Sequence, residues 1–194
     1  WSIISPLITL LVMRVIFSRF FGQTIEHYTI YLFCGNILFS YFNDATNYGM
    51  TSLLWNAHIF TKINVPKYLF LFSKNVASLI NFGLSLCLFF AFVVADGITI
   101  KWQFLMLLFP IGCLIIFNLG VGLILSALYV FFRDINYLYN IFTMLLMYMS
   151  AIFYQITIVP AKFRFFFYFN PVYCYIEYFR KIVLTSKIPT LAFH

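Results

Sequence analysis

Charge is scarce in this chain: Lys, Arg, Asp and Glu make up 9% of 194 residues, and only five residues are acidic. That deficit excludes an ordinary soluble domain, in which about a quarter of residues are charged. Five carboxylates, scattered singly, are too few to build a magnesium site for phosphoryl transfer. No Gly-rich loop followed by Lys and Ser or Thr is present to cradle the phosphates of ATP. Cysteine is sparse as well: Cys34, Cys87, Cys113 and Cys174 sit inside apolar or aromatic runs with no pair at metal spacing, so they read as small packing residues. The apolar segment at Trp1 has neither the charged n-region nor the cleavage site of a signal peptide, and both ends of the chain read as cut edges of a longer protein.

What the chain has in quantity is apolar surface. It is 64% hydrophobic and 23% aromatic, with a mean hydropathy of +0.98. A hydrocarbon core about 30 Å thick takes roughly 20 apolar residues per helix, and several such stretches lie between short polar clusters. Five spans are expected: residues 1–22, about 28–48, 68–95, 102–129 and a short one at 141–154. The formal charge of +7 comes from basic residues placed singly at the ends of these runs. They read as interfacial anchors, not as a nucleic-acid face. Arg19 is placed to snorkel to an interface, whereas Arg14 lies deeper in the first span and is a candidate functional residue.

Between the second and third spans, "GMTSLLWNAHIFTKINVPK" is too polar to cross and predicts a loop or surface helix. Gly122 and Ser126, four apart in the fourth span, leave room for another helix to approach closely. The stretch "LYVFFRDINYLYN" places Arg133 beside Asp134 between two apolar runs. Leu128, Phe131, Phe132, Ile135, Leu138, Tyr139 and Phe142 follow one helical face, which predicts an amphipathic helix through the pair, against the simpler alternative of a solvated turn. In the tail, Pro160 starts a short helix and Asn170–Pro171 breaks it. A second helix then places Val172, Tyr175, Ile176, Phe179, Ile182 and Val183 on one face, with Glu177, Arg180 and Lys181 on the other at ion-pair spacing. Two short helices at a sharp break suit an interfacial or re-entrant hairpin.

"GVGLILSALYVFFRDINYLYNIF" resembles the signature of permease subunits of ABC-2 type exporters, in particular those that move O-antigen, teichoic acid and other polysaccharides. Three more stretches agree in order: the first span "WSIISPLITLLVMRVIF"; "SYFNDATNYGMTSLLWNAHIFTKINVPKYLF", ending in a proline-basic element at Pro66 and Lys67; and the hairpin "SAIFYQITIVPAKFRFFFYFNPVYCYIEYFRKIVL". The resemblance covers nearly the whole chain as a single domain, 1–194, lacking the helix before the first span and the sixth span after Pro189.

The resemblance implies an all-α integral membrane protein, an ABC-2 (type V-like) exporter transmembrane domain with five of six spans, coupling helices in the cytoplasm and an external re-entrant hairpin. It implies a homodimer around a pore in the bacterial inner membrane, with two separate ATPase subunits. ATP and magnesium would be held by those subunits and no cofactor by this chain. The cargo would be a lipid-linked polysaccharide in the family's manner, moving among membrane lipids. Trp55, His58, Lys62, Pro66, Lys67, Arg133 and Asp134 would face the ATPase, and Asn170, Pro171, Glu177 and Arg180 would shape the external hairpin. Arg14, Phe39, Tyr41, Phe42, Tyr148, Phe153 and Tyr154 are candidate channel-lining residues, since aromatic faces stack on the apolar faces of sugar rings. An ABC-2 drug or small-molecule exporter permease and a membrane-embedded envelope-glycan transferase are the alternatives. The transferase needs converging ionisable groups, which only Glu26 with His27 and Glu177 with Arg180 approximate.

Overall fold

The computed structural model describes residues 4–21, 27–60, 62, 66–99 and 101–185. The expectations placed on Glu26, on the Arg19 side chain and on the segment after Pro189 lie outside what is described. Among the described residues all regular structure is helical: α1 (Ile4–Phe21), α2 (Tyr28–Trp55), α3 (Ala57–Phe60), α4 (Tyr68–Ala95), α5 (Leu108–Phe131), α6 (Ile135–Tyr148), α7 (Ala161–Tyr168) and α8 (Pro171–Thr185). A 3₁₀ turn, Trp102–Leu107, leads into α5. Pro110 is tolerated there because the first turn of a helix needs no donor from its backbone.

α2 is the hub, packed against α1, α4, α5 and α8. It crosses α5 where glycine faces glycine. A methyl group on Gly49 would come within 3.2 Å of the Gly122 Cα, so the close approach expected at Gly122 depends on a partner glycine in the second span. Phe33 meets Phe89 edge-on, Tyr41 stacks on Phe82 and Phe42 on Phe117, joining the three helices into one aromatic core. At the far end of α4, Asp96 closes the helix, Gly97 takes a φ of 80°, and the Asp96 carboxylate lies 2.6 Å from Nδ1 of His27, just before α2. Gly97 is required there by its backbone, since a side chain is strained in that region.

Several boundaries differ from the sequence expectation. α2 does not stop near Tyr48 but runs to Trp55, and the polar segment after it contains only one turn of helix, α3. The predicted continuous amphipathic helix through Arg133 and Asp134 does not form. The helix ends at Phe131, Phe132 turns extended with φ −128° and ψ 95°, and α6 begins at Ile135. Of the residues expected on one helical face, Tyr139 is buried while Phe131, Phe132, Leu138 and Phe142 are exposed. A seven-residue spacing cannot reveal a turn that preserves the pattern on both sides.

α6 begins at Ile135, six residues before the expected start of the fifth span, and ends at Tyr148, six residues early. At about 21 Å it is shorter than a bilayer core. The following segment is irregular, with Ala151 at φ 47°. Pro160 caps α7, and α8 starts at Pro171, as expected from the tail. α4 and the run Trp102–Phe131 are long and apolar enough to cross a membrane, and Pro6–Phe17 is a shorter apolar stretch.

Candidate functional site

Residues expected to meet an ATPase gather at one end of the bundle. A small cluster of Met50, Leu125 and Tyr139 ties the C-terminal halves of α2 and α5 to the start of α6, and the Tyr139 hydroxyl donates to Thr46 Oγ1 at 2.6 Å. Beyond it, Trp55 (69% exposed), His58, Lys62, Pro66 and Lys67 flank the α2–α4 connection, all exposed. Arg133 and Asp134 are exposed in the α5–α6 turn and form no ion pair with each other. The turn is held by backbone bonds instead: Phe132 N–H donates to Leu128 O at 2.8 Å and Tyr137 N–H to Asp134 O at 3.0 Å. Asp134 makes no side-chain cap. Both charges therefore remain available to a partner, and with Phe131 and Phe132 beside them they form an aromatic and charged end surface.

At the opposite end, Arg180 contradicts its expected exposed position on α8: it is only 3% exposed. Its guanidinium carbon sits 3.5 Å from the centroid of the Tyr31 ring. Nε donates to Tyr31 O (3.2 Å), Nη1 to Ala151 O (2.9 Å) and Nη2 to Ile152 O (2.9 Å). Five fixed donors let a guanidinium serve as such a hub where an ammonium cannot. The irregular segment after α6 exists to present these carbonyls: Tyr28 Oη donates to Phe153 O at 2.9 Å and Tyr31 Oη to Tyr154 O at 2.7 Å. Gly35 makes room, since a Cβ there would lie 2.7 Å from Arg180 Nη2. Glu177 pairs with Lys181 at 4.0 Å, one turn along the same helix, and not with Arg180.

Asn170 locks the α7–α8 break. Its Nδ2 donates to Ser150 Oγ (3.0 Å) and Met149 O (3.3 Å), and its Oδ1 accepts from Val172 N–H (3.0 Å). Asn170→Ala is expected to lower stability by about 1–3 kcal/mol, because buried partners lose their bonds; thermal unfolding of the purified protein measures it. Nearby, burial pushes the Cys174 thiol up, with Glu177 adding to the effect, and all four cysteines are free. Cys34 is buried as a packing residue would be, whereas Cys87 is exposed and does not fit that expectation.

The aromatic candidates divide. Phe42 and Phe153 are packed into the core, the latter stacked 4.7 Å from Phe17. Tyr148 is exposed, and its carbonyl accepts from the half-buried Tyr154 hydroxyl at 2.9 Å. Arg14 is exposed on α1. Phe39 and Tyr41 are buried in the same core and border a groove of about 420 Å³ between α1, α2, α4 and α6. The groove was not anticipated, although its signal was present: Asn36, Ser40, Asn43 and Asn47 recur at i, i+4, i+7 and i+11, which is one face of α2. Asp44 adjoins that face, and Ser78, Asn81 and Ser85 make a matching one on α4. An aspartate facing lipid at mid-helix costs about 3 kcal/mol, so this surface is unsuited to hydrocarbon.

The chain as a whole is similar in sequence to known proteins. Two proteins from Klebsiella pneumoniae, each named O-antigen export system permease protein RfbA, are 26% identical over 190 residues, covering 97% of this chain and 73% of their own length. A Myxococcus xanthus protein of the same name is 26% identical over 164 residues, 84% of this chain and 62% of its own. The family model described as "ABC-2 type transporter" matches residues 1–184, so the helical bundle around α2, with its turn at Arg133 and its Asn170–Pro171 break, belongs to the ABC-2 type transporter family.

Proposed function

We propose that this chain is the permease subunit of an ATP-driven exporter that carries a cell-surface polysaccharide across a bacterial cytoplasmic membrane. The observation that carries the reading is the similarity to O-antigen export permeases along 97% of the chain. The structure supports it by the kind of parts it contains. α1, α2, α4, the run through α5, and α6 serve as five spans of a six-span subunit. α2 spans despite its polar side because α4 and α5 shield much of the remainder. α6 is short because the Arg180-bound segment completes its crossing. α7 and α8 form the external re-entrant hairpin.

In this arrangement the end bearing Trp55, Lys67, Arg133 and Asp134 is cytoplasmic, and two ATPase subunits dock there on a permease homodimer. ATP and magnesium stay on the ATPase, while this chain lends a path for a lipid-linked polymer. Asp134, whose exposed side chain makes no cap on its own helix, is the contact through which nucleotide-driven motion enters. The test uses the full-length protein, purified in mild detergent from its host. A stoichiometric ATP-hydrolysing partner is expected, and Asp134→Lys is expected to cut its recovery tenfold or more without loss of membrane insertion. Retention of the ATPase and of normal export by that variant would remove the coupling role. A wild-type protein that purifies with no nucleotide-hydrolysing partner would overturn the exporter reading.

A further inference from the structure

α8 and the irregular segment after α6 border a cavity of about 520 Å³ at the end of the bundle away from Arg133. Tyr31, Gln155, Thr157, Glu177, Arg180 and Lys181 line it, and Ile156 and Leu184 add apolar wall. His27 borders it too, but its Nδ1 is engaged, 2.6 Å from the Asp96 carboxylate. Arg180, 3% exposed, gives three N–H bonds to the carbonyls of Tyr31, Ala151 and Ile152, and a guanidinium carries five. Two buried cationic donors therefore remain without an acceptor among the described residues. The Glu177 carboxylate lies 4.0 Å from Lys181 Nζ, too far for a hydrogen bond, so it keeps lone pairs for a ligand. The cavity wall is tied to an aromatic surface. Arg164 of α7 donates from Nη2 to Thr157 O and from Nε to Val159 O, both at 2.9 Å. α7 carries Phe163, Phe165, Phe166, Tyr168 and Phe169, each at least half exposed, and Trp102, 83% exposed, stands on the 3₁₀ turn packed against α8. In a membrane protein, aromatic surfaces of this kind beside Lys and Arg lie at the boundary between hydrocarbon and headgroups. The cavity stands at that level.

We infer that this cavity binds the headgroup of a membrane phospholipid that carries both a phosphate and an ammonium, as phosphatidylethanolamine does. The phosphodiester accepts from the two spare donors of Arg180 and from Lys181, in charge-assisted bonds. Glu177 accepts from the ammonium. Ile156 and Leu184 border the first carbons of the acyl chains. The volume falls in the range of small-ligand sites. A free phosphate dianion, or a headgroup without a cation, would leave the Glu177 carboxylate facing like charge, and that repulsion supplies the selectivity. Bound there, the lipid fixes α8 against the segment that Arg180 holds. The inference needs the chain's place in a membrane and does not depend on its cargo.

The test follows the thermal midpoint of the full-length protein, delipidated in dodecyl maltoside, as ligand is added. The probes are dioctanoyl phosphatidylethanolamine, dioctanoyl phosphatidylglycerol and inorganic phosphate. Phosphatidylethanolamine is expected to raise the midpoint saturably, at a concentration at least fivefold lower than phosphatidylglycerol needs, and inorganic phosphate to leave it unchanged. Glu177→Gln is expected to abolish the preference by weakening phosphatidylethanolamine alone. Lys181→Gln is expected to weaken both lipids at least fivefold. Equal half-maximal concentrations for the two lipids on the wild-type protein would overturn the inference, since the headgroup would then go unread. An equal rise with inorganic phosphate would overturn it in favour of an anion site that needs no lipid, and wild-type affinities in both variants would overturn it by seating the lipid elsewhere. Should neither charge variant fold, Thr157→Trp decides, because Thr157 is an exposed position in the cavity wall. Loss of the phosphatidylethanolamine effect in that variant supports the cavity, and an unchanged effect overturns it. Surface polymer after deletion of the gene reads the exporter assignment separately, whatever the lipid titrations give.

Discussion

Arg180→Met is expected to lower the thermal midpoint of the purified permease by roughly 5–10 °C and to abolish surface polymer. Methionine keeps apolar volume but donates no hydrogen bond, so the carbonyls of Tyr31, Ala151 and Ile152 lose a charged donor in a buried position. Hydrogen bonds to charged groups contribute about 1.5–3 kcal/mol each, and stacking on a desolvated ring adds about 2 kcal/mol. The Arg180–Tyr31 stack, at 3.5 Å, is of the desolvated kind. Losses of this size are not additive, but even a loss of about 3 kcal/mol is a large fraction of a typical stability. Arg180→Lys separates charge from geometry: a lysine ammonium reaches one or two of the carbonyls, so an intermediate melting point is expected. Identical melting curves for wild type, Arg180→Lys and Arg180→Met would show that the irregular segment is held by something else.

Gly49→Leu is expected to disrupt the fold at least as strongly. At this crossing the α2 and α5 backbones touch, and even a methyl group on Gly49 sits 3.2 Å from the Gly122 Cα, a backbone atom that cannot move aside as a side chain would. Leucine must push the two helices apart, and with them Tyr41 from Phe82 and Phe42 from Phe117. Overpacking costs about 1–3 kcal/mol where side chains can adjust, and more where backbones are in contact. Little folded protein is expected in detergent, read as an early, aggregated peak in size-exclusion chromatography. Gly120→Leu is the control: its Cβ meets nothing within 4 Å, and a monodisperse peak is expected. A monodisperse Gly49→Leu protein would refute the close crossing.

The two experiments concern residues that differ in how readable they are. Gly122 with Ser126 could be singled out because small residues four apart face one way on a helix. Its partner, Gly49, sits in a stretch that reads as too polar for a span, and only the packing shows that α2 continues through it. Arg180 is legible as a member of an amphipathic helix, on the face where charge normally meets water. A pattern of three or four residues records that a face is polar, but not whether another chain segment brings carbonyls to that face.

Composition by itself determined the class: a chain with 9% charged and 64% hydrophobic residues has too little polar surface for water and enough apolar length for several membrane helices. Local rules located the breaks at Pro160 and at Asn170–Pro171, because proline constrains its own backbone and that of its predecessor. The tertiary structure alone decided what the polar residues are for. It buried Arg180 among carbonyls separated from it by 28 to 149 positions, left the side chains of Arg133 and Asp134 exposed in a turn held by backbone bonds, and aligned the amides of α2 with the serines of α4. Periodicity assigns a side chain to one face of its own helix, and the partner that meets that face comes from distant parts of the chain.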